Sequence, residues 1–134
     1  MYERFTDQAR KVMQLAHESA QGYGHEFITD PDLLLAVVRW PGGVAANVLL
    51  ELNVDIGDLC SELDELVKSD GYSPSGAKPL ILYALEERAD LNHNYVDTEH
   101  LLLGILRDEQ SACTQLLERY GVTYQVLRTK IENL

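Results

Sequence analysis

The sequence predicts an all-α fold of eight helices, built as two four-helix repeats related by a pseudo-twofold axis. Three observations predict it. First, the chain agrees with itself without gaps. Laying residues 9–66 over residues 77–134, a shift of 68, gives twelve identical pairs. They are Ala9/Ala77, Ala16/Ala84, Glu18/Glu86, His25/His93, Leu33/Leu101, Leu34/Leu102, Leu35/Leu103, Arg39/Arg107, Leu49/Leu117, Val54/Val122, Leu59/Leu127 and Leu66/Leu134. Most other pairs exchange one apolar residue for another, as in Phe27/Tyr95, Ile28/Val96 and Val37/Ile105. Self-similarity at a fixed period marks one structural unit used twice. Second, apolar residues recur at the i, i+3, i+4, i+7 spacing of a helix face. Third, no segment alternates apolar and polar residues as a half-buried strand does.

The elements follow in order. Phe5, Ala9, Val12, Leu15, Ala16 and Ala20 share one face of a first helix, with Thr6 as its N-cap and Gly22 or Gly24 as its stop. A second helix opens at "DPDLLLAVV", with Asp30 read as N-cap and Pro31 at the first helical position, where a missing N–H costs nothing. It ends near "WPGG". A third covers about Val44 to Leu52, and a fourth runs from Asp55 to Lys68 with Ile56, Leu59, Leu63, Leu66 and Val67 inward. The second repeat follows the same plan over about Gly76–Leu91, Thr98–Arg107, Ser111–Tyr120 and Thr123–Asn133. "SDGYSPSG", residues 69–76, reads as the linker, so that repeat one is 1–68 and repeat two 77–134 of a single domain. The Leu triplets exceed a single stripe, which places the second and sixth helices at the centre.

Composition narrows the function. A chain of 134 residues, 46% hydrophobic, builds a core without disulfides or metal. The formal net charge of −11 argues against nucleic acid, which needs clustered cations, and against an anionic membrane surface. Cys60 and Cys113 stand far apart in apolar-periodic stretches, and are read as reduced, partly buried thiols of a cytoplasmic protein. The N-terminus lacks the apolar core of a signal peptide, and no apolar run has transmembrane length.

The stretch "NHNYVDTEHLLLGIL", residues 92–106, is dense in chemistry-bearing side chains. Aligned with "ITDPDLLLAVV", it is first a helix start, with Thr98 as N-cap and Glu99 opposing the positive end of the dipole. His25 and His93 are read as capping or packing residues at the turn before it. A metal-dependent enzyme built on His93, Glu99 and His100 is an alternative, though the helical H-E-x-x-H spacing is absent and the first half has Pro31 and Asp32 in the matching places. No nucleophile elbow, Cys–His pair or phosphate loop is present. The carboxylates of "SELDEL" read as a solvated face.

The stretches "MYERFTDQARKVMQLAHESA", "HEFITDPDLLLAVV", "GGVAANVLLELNVD" and "HNYVDTEHLLLGIL" resemble the double Clp N-terminal repeat, the N-domain of Clp-type AAA+ unfoldases of the ClpC kind. The resemblance spans essentially the whole chain. It implies a non-catalytic, cofactor-free module that binds protein substrates and adaptor proteins for a Clp unfoldase and is monomeric in isolation. The altered first motif and the acidity favour a free-standing or divergent member, a regulator with degenerate ligand sites, over an excised N-domain. Some domains of the ClpC kind also recognise phosphorylated arginine at two pseudo-equivalent sites. There a motif glutamate faces the guanidinium, and a threonine and a basic residue near the first helix face the phosphate. Carried over, the resemblance pairs Glu99 with Lys78 in the second half, where Pro74 stands at the threonine position and Ser73 and Ser75 lie close. In the first half it keeps Arg4 and Thr6, with Pro31 at the glutamate position and Asp30 and Asp32 beside it. The first site reads as broken and the second as weakened. The resemblance also implies hydrophobic grooves. Tyr2, Tyr23, Trp40, Tyr72 and Tyr124 are the aromatic candidates for one, with Trp40 expected to be the most exposed.

Overall fold

The computed structural model describes residues 2–134. They form α1 (Asp7–Tyr23), α2 (Asp30–Arg39), α3 (Val44–Glu51), α4 (Ile56–Lys68), α5 (Lys78–Asp90), α6 (Thr98–Leu106), α7 (Ala112–Arg119) and α8 (Tyr124–Glu132). Among the described residues the only β-pairing is two isolated bridges. The fold is all-α.

α2 and α6 form the centre. Leu33 and Leu34, with Leu101, Leu102 and Leu103, are fully buried, and both helices are enclosed along their whole lengths after Arg39 is set aside. A helix that is apolar all round must be covered all round, and here the other six helices cover the two. α1 lies against α2, and α5 against α6. The second of these contacts is unusually close: a Cβ on Gly104 would sit 2.4 Å from the Leu80 carbonyl oxygen. The matching residue in the first half is Ala36, buried beneath α1.

The repeat shows in the backbone. Left-handed residues fall at matching places with glycine and asparagine exchanged: Gly24 (φ 77°) with Asn92 (φ 60°), and Asn53 (φ 62°) with Gly121 (φ 81°). These two residue types accept that conformation most readily. The starts of α2/α6, α3/α7 and α4/α8 all keep the shift of 68. α1 and α5 do not. α1 has 17 residues and α5 has 13, so α5 begins later than Gly76, the start the sequence pattern gave. The chain before α5 is spent instead on an extended contact, in which Ala77 N–H donates to Ile28 O and Asp30 N–H to Ser75 O, both at 2.9 Å.

Two expected caps are displaced by one residue. Thr29, not Asp30, is the N-cap of α2, because Asp32 stands three residues on and closes a capping box with it. Asp97, not Thr98, caps α6, with His100 closing the box. The displaced residues work across the repeat boundary. Thr98 Oγ1 accepts Ala45 N–H at 3.0 Å and so caps α3 of the first half. Asp30 accepts the Ser111 hydroxyl at 3.0 Å, at the N-cap of α7 in the second half. Cys60 and Cys113 are free and buried. No single helix among the described residues is long and apolar enough to cross a membrane.

Candidate functional site

The densest motif of the sequence folds into the first turn of α6 and the extended residues before it. Asp97 holds the turn by accepting Thr98 N–H at 2.8 Å. His100 Nδ1 accepts the Asp97 N–H at 2.8 Å, so its proton must sit on Nε2, which donates to His93 Nδ1 at 2.8 Å. Burial holds His100 down to about 4, with the charges of His93 and Arg88 acting the same way. The imidazole is therefore a neutral structural link at physiological pH. With both ring nitrogens of His100 taken, His93, Glu99 and His100 do not form a ligand set. Among the described residues no group of three or more His, Cys, Asp or Glu is placed to hold a metal ion.

The first half solves the same problem with a charge. Asp32 replaces His100 and is wholly buried. It accepts the Thr29 N–H at 3.0 Å, the Thr29 hydroxyl at 2.7 Å, the Ser19 hydroxyl at 2.8 Å and His25 Nδ1–H at 2.7 Å. A buried carboxylate survives when donors saturate it.

Glu99 has no such company. It is 7% exposed, and its Oε1 has no hydrogen-bond partner. Burial raises it to about 7; the neighbouring Asp97 charge adds to the rise, and its own backbone N–H opposes it. An unpaired buried carboxylate is costly, and such groups cluster where ligands bind.

The backbone decides what lies near it. Val96 N–H donates to Arg4 O at 2.7 Å and Thr6 N–H to Val96 O at 2.9 Å, forming the Phe5–Val96 bridge. Arg4 and Thr6 therefore run beside the segment that leads into Glu99. Arg4 is exposed. Thr6 Oγ1 caps α1 by accepting Ala9 N–H at 3.1 Å. The Thr29–Gly76 bridge sets Ser75 and Lys78 beside the start of α2, where Pro31 stands. The pairing thus crosses the repeats. The segment that leads into Glu99 runs beside Arg4–Thr6, and the segment that leads into Lys78 runs beside Thr29 and Asp30. The constant shift hid this, because it concerns which half's entry segment lies on which half's helix start.

The aromatic expectation also changes. Trp40 is only half-buried, with Lys11 Nζ 5.9 Å from its ring centroid. Tyr23 and Tyr124 donate their hydroxyls to Asp64 and Glu87, and the Tyr72 hydroxyl is buried. Tyr2 is exposed as expected, but Phe27 at 59% and Tyr95 at 55% are the open rings. They are pseudo-equivalent, and their matched aromatic character was the signal available in the sequence.

The Clp repeat (R) N-terminal domain matches this chain twice, over residues 4–76 and 74–134. The chain is 35% identical over 139 residues to the ATP-dependent Clp protease ATP-binding subunit ClpA homolog of Porphyra purpurea, covering 98% of this chain and 17% of that protein. It is 34% identical over 139 residues to the chloroplastic chaperone protein ClpC1 of Arabidopsis thaliana, covering 98% and 15%. It therefore spans about a sixth of the length of these relatives. The fold is that of the Hsp104 N-terminal domain from Candida albicans (TM-score 0.74, 23% identity, 96% of this chain and 89% of that one). It is also that of the N-terminal domain of the chaperone ClpD from Arabidopsis thaliana (TM-score 0.70, 20% identity, 96% and 92%). The chain belongs to the Clp repeat N-terminal domain family.

Proposed function

We propose that the chain is a non-catalytic module that binds substrates or adaptor proteins for a Clp-type ATPase, and that it has one phosphoarginine-type site, made of Arg4, Thr6 and Glu99. The module is one domain of two repeats, 1–68 and 77–134, joined by 69–76, and works as a monomer. The observation that carries the site is Glu99, a buried carboxylate whose Oε1 has no hydrogen-bond partner, on a helix whose leading segment pairs with the backbone beside Arg4, an exposed cation with no ion pair among the described residues. A carboxylate takes the fork of a guanidinium, while a cation and a hydroxyl take a phosphate. A phosphorylated arginine carries both groups in one side chain. The segment with Ser75 and Lys78 pairs with the start of α2, where proline stands in place of the glutamate, so that side does not serve as a second site of the same kind.

The test is an NMR titration of the domain with free phosphoarginine, repeated on Glu99→Gln and Arg4→Ala. Saturable shifts at Arg4, Thr6 and Glu99 that both variants abolish support the site. Absence of shifts at millimolar ligand, or shifts indifferent to Glu99→Gln, overturns it. Pro31 also favours a second reading, a free-standing Clp-repeat regulator with one degenerate site. Such a regulator would bind a Clp ATPase ring in trans and reduce its client turnover, whereas a recruiting module would not.

A further inference from the structure

A pocket lies beside the Thr29–Gly76 bridge, between the residues leading into α2 and the start of α5. Tyr2, Phe27, Ile28, Gly76, Lys78 and Ile81 line a space of about 370 Å3 there. Its chemistry is unlike that around Glu99. No Asp or Glu lines it, and position 31 is proline. Asp30, beside that proline, is buried and spent on the Ser75 N–H and the Ser111 hydroxyl. Phe27 and Tyr2 stand 59% and 38% exposed over a wall of Ile28 and Ile81. A Cβ on Gly76 would lie 3.3 Å from the Phe27 ring, so glycine lets that ring lie across the chain.

Lys78 is the sole charged residue of the lining. It is exposed, and it makes no ion pair among the described residues. It is also the first residue of α5, whose N-cap Ala77 supplies no side-chain acceptor. The positive end of α5 is thus left open beside the lysine.

We propose that this pocket docks the C-terminal residue of a partner chain, its apolar side chain on Phe27 and Tyr2 and its carboxylate at Lys78. Charge complementarity selects this occupant. A guanidinium would meet Lys78 with no carboxylate to receive it. A wholly apolar segment would cover the wall and leave the ammonium unanswered at its edge. A terminal apolar residue supplies both groups within the reach of one pocket, as carboxylate capture elsewhere combines a cation with free backbone donors. The chain's net charge of −11 makes this local cation the discriminating feature.

The probe is N-acetyl-L-phenylalanine, with its neutral amide as control, titrated into the labelled domain and followed by amide NMR shifts. The acid is expected to give saturable shifts at Phe27, Gly76 and Lys78 in the millimolar range, and the amide to bind about tenfold more weakly. Phe27→Ala and Lys78→Glu, both at exposed positions, are expected to abolish binding while the circular dichroism spectrum is unchanged. Equal binding of acid and amide, shifts that persist in Lys78→Glu, or no saturable shift overturns the proposal. Glu99→Gln is expected to leave this binding intact, which separates it from the phosphoarginine site.

Discussion

Replacing Glu99 by glutamine is expected to make the free domain more stable and to abolish phosphoarginine binding. The magnitude follows from burial. Glu99 is raised from 4.5 to about 7, so the folded state binds a proton that the unfolded state has released throughout that interval. Stability then falls as pH rises, by about 1.4 kcal/mol per pH unit between roughly pH 4.5 and 7. Integrated from pH 5 to pH 8, the loss is about 2–3 kcal/mol. Glutamine carries no charge at any pH. It should match protonated glutamate at pH 5 and exceed the ionised form at pH 8 by about that amount.

His100 supplies a counter-slope. Held down to about 4 by burial, it is neutral in the fold while the unfolded chain is protonated between about pH 4 and 6.5. Its contribution rises with pH across that window at a similar rate of about 1.4 kcal/mol per unit. The Glu99 and His100 slopes therefore oppose each other from about pH 4.5 to 6.5, and Glu99→Gln should leave the His100 rise unopposed. Urea unfolding at pH 5, 6, 7 and 8, followed by far-UV circular dichroism, measures both. A variant that is no more stable than wild type at pH 8, or a difference that does not grow with pH, would refute the claim that an ionised, unpaired Glu99 is stored in the fold.

Three further outcomes are expected. Gly104→Ala drives a methyl into the Leu80 carbonyl and should cost at least about 2–3 kcal/mol by forcing α5 off α6, read as a lower urea midpoint. Thr98→Val removes the acceptor of the buried Ala45 N–H and should cost about 1–2 kcal/mol. Amide exchange should then show the loosening at α3 in the other repeat; loosening confined to α6 would contradict the cross-repeat cap. Pro31→Glu adds a carboxylate at the start of α2, which pairs with the segment leading into Lys78, and should weaken N-acetyl-L-phenylalanine binding by about fivefold or more. Unchanged affinity would show that Lys78 does not govern that pocket.

Most of the fold was legible because helix periodicity, caps and the internal repeat all point the same way. The Leu triplets of α2 and α6 announced the buried centre, and the Gly/Asn pairs at the left-handed turns kept register even where their identities swapped. The misplaced caps share one cause. Thr98 and Asp30 are good cap residues by type, but they act in the opposite repeat, Thr98 capping α3 and Asp30 bonding the Ser111 cap of α7. Local sequence ranks a cap only for the helix it precedes. The start of α5 failed for a related reason, since residues 75–77 are drawn into pairing with Ile28 and Asp30. The candidate residues Arg4, Thr6, Ser75, Lys78 and Glu99 were all visible, while the cross-repeat pairing of the backbone segments beside them was not.

The crossed grouping has a consequence for how the two repeats depend on each other. Each entry segment lies on the helix start of the other half, and a buried bond runs each way: Thr98 caps α3, and Asp30 holds Ser111, the N-cap of α7. Neither repeat has its full set of backbone partners alone, so opening the interface would expose the Ala45 N–H and the Asp30 carboxylate together. That makes the two repeats one cooperative unit. It also frees the pseudo-equivalent positions to diverge. The scaffold needs a capping-box acceptor at 32 and 100, and it accepts either a saturated aspartate or a neutral histidine. It asks less of 31 and 99, since neither side chain bonds to another side chain among the described residues. Proline at one and glutamate at the other are differences that the shared framework accepts, and on the proposed reading a ligand that joins Arg4 to Glu99 would tie repeat one to repeat two across that framework.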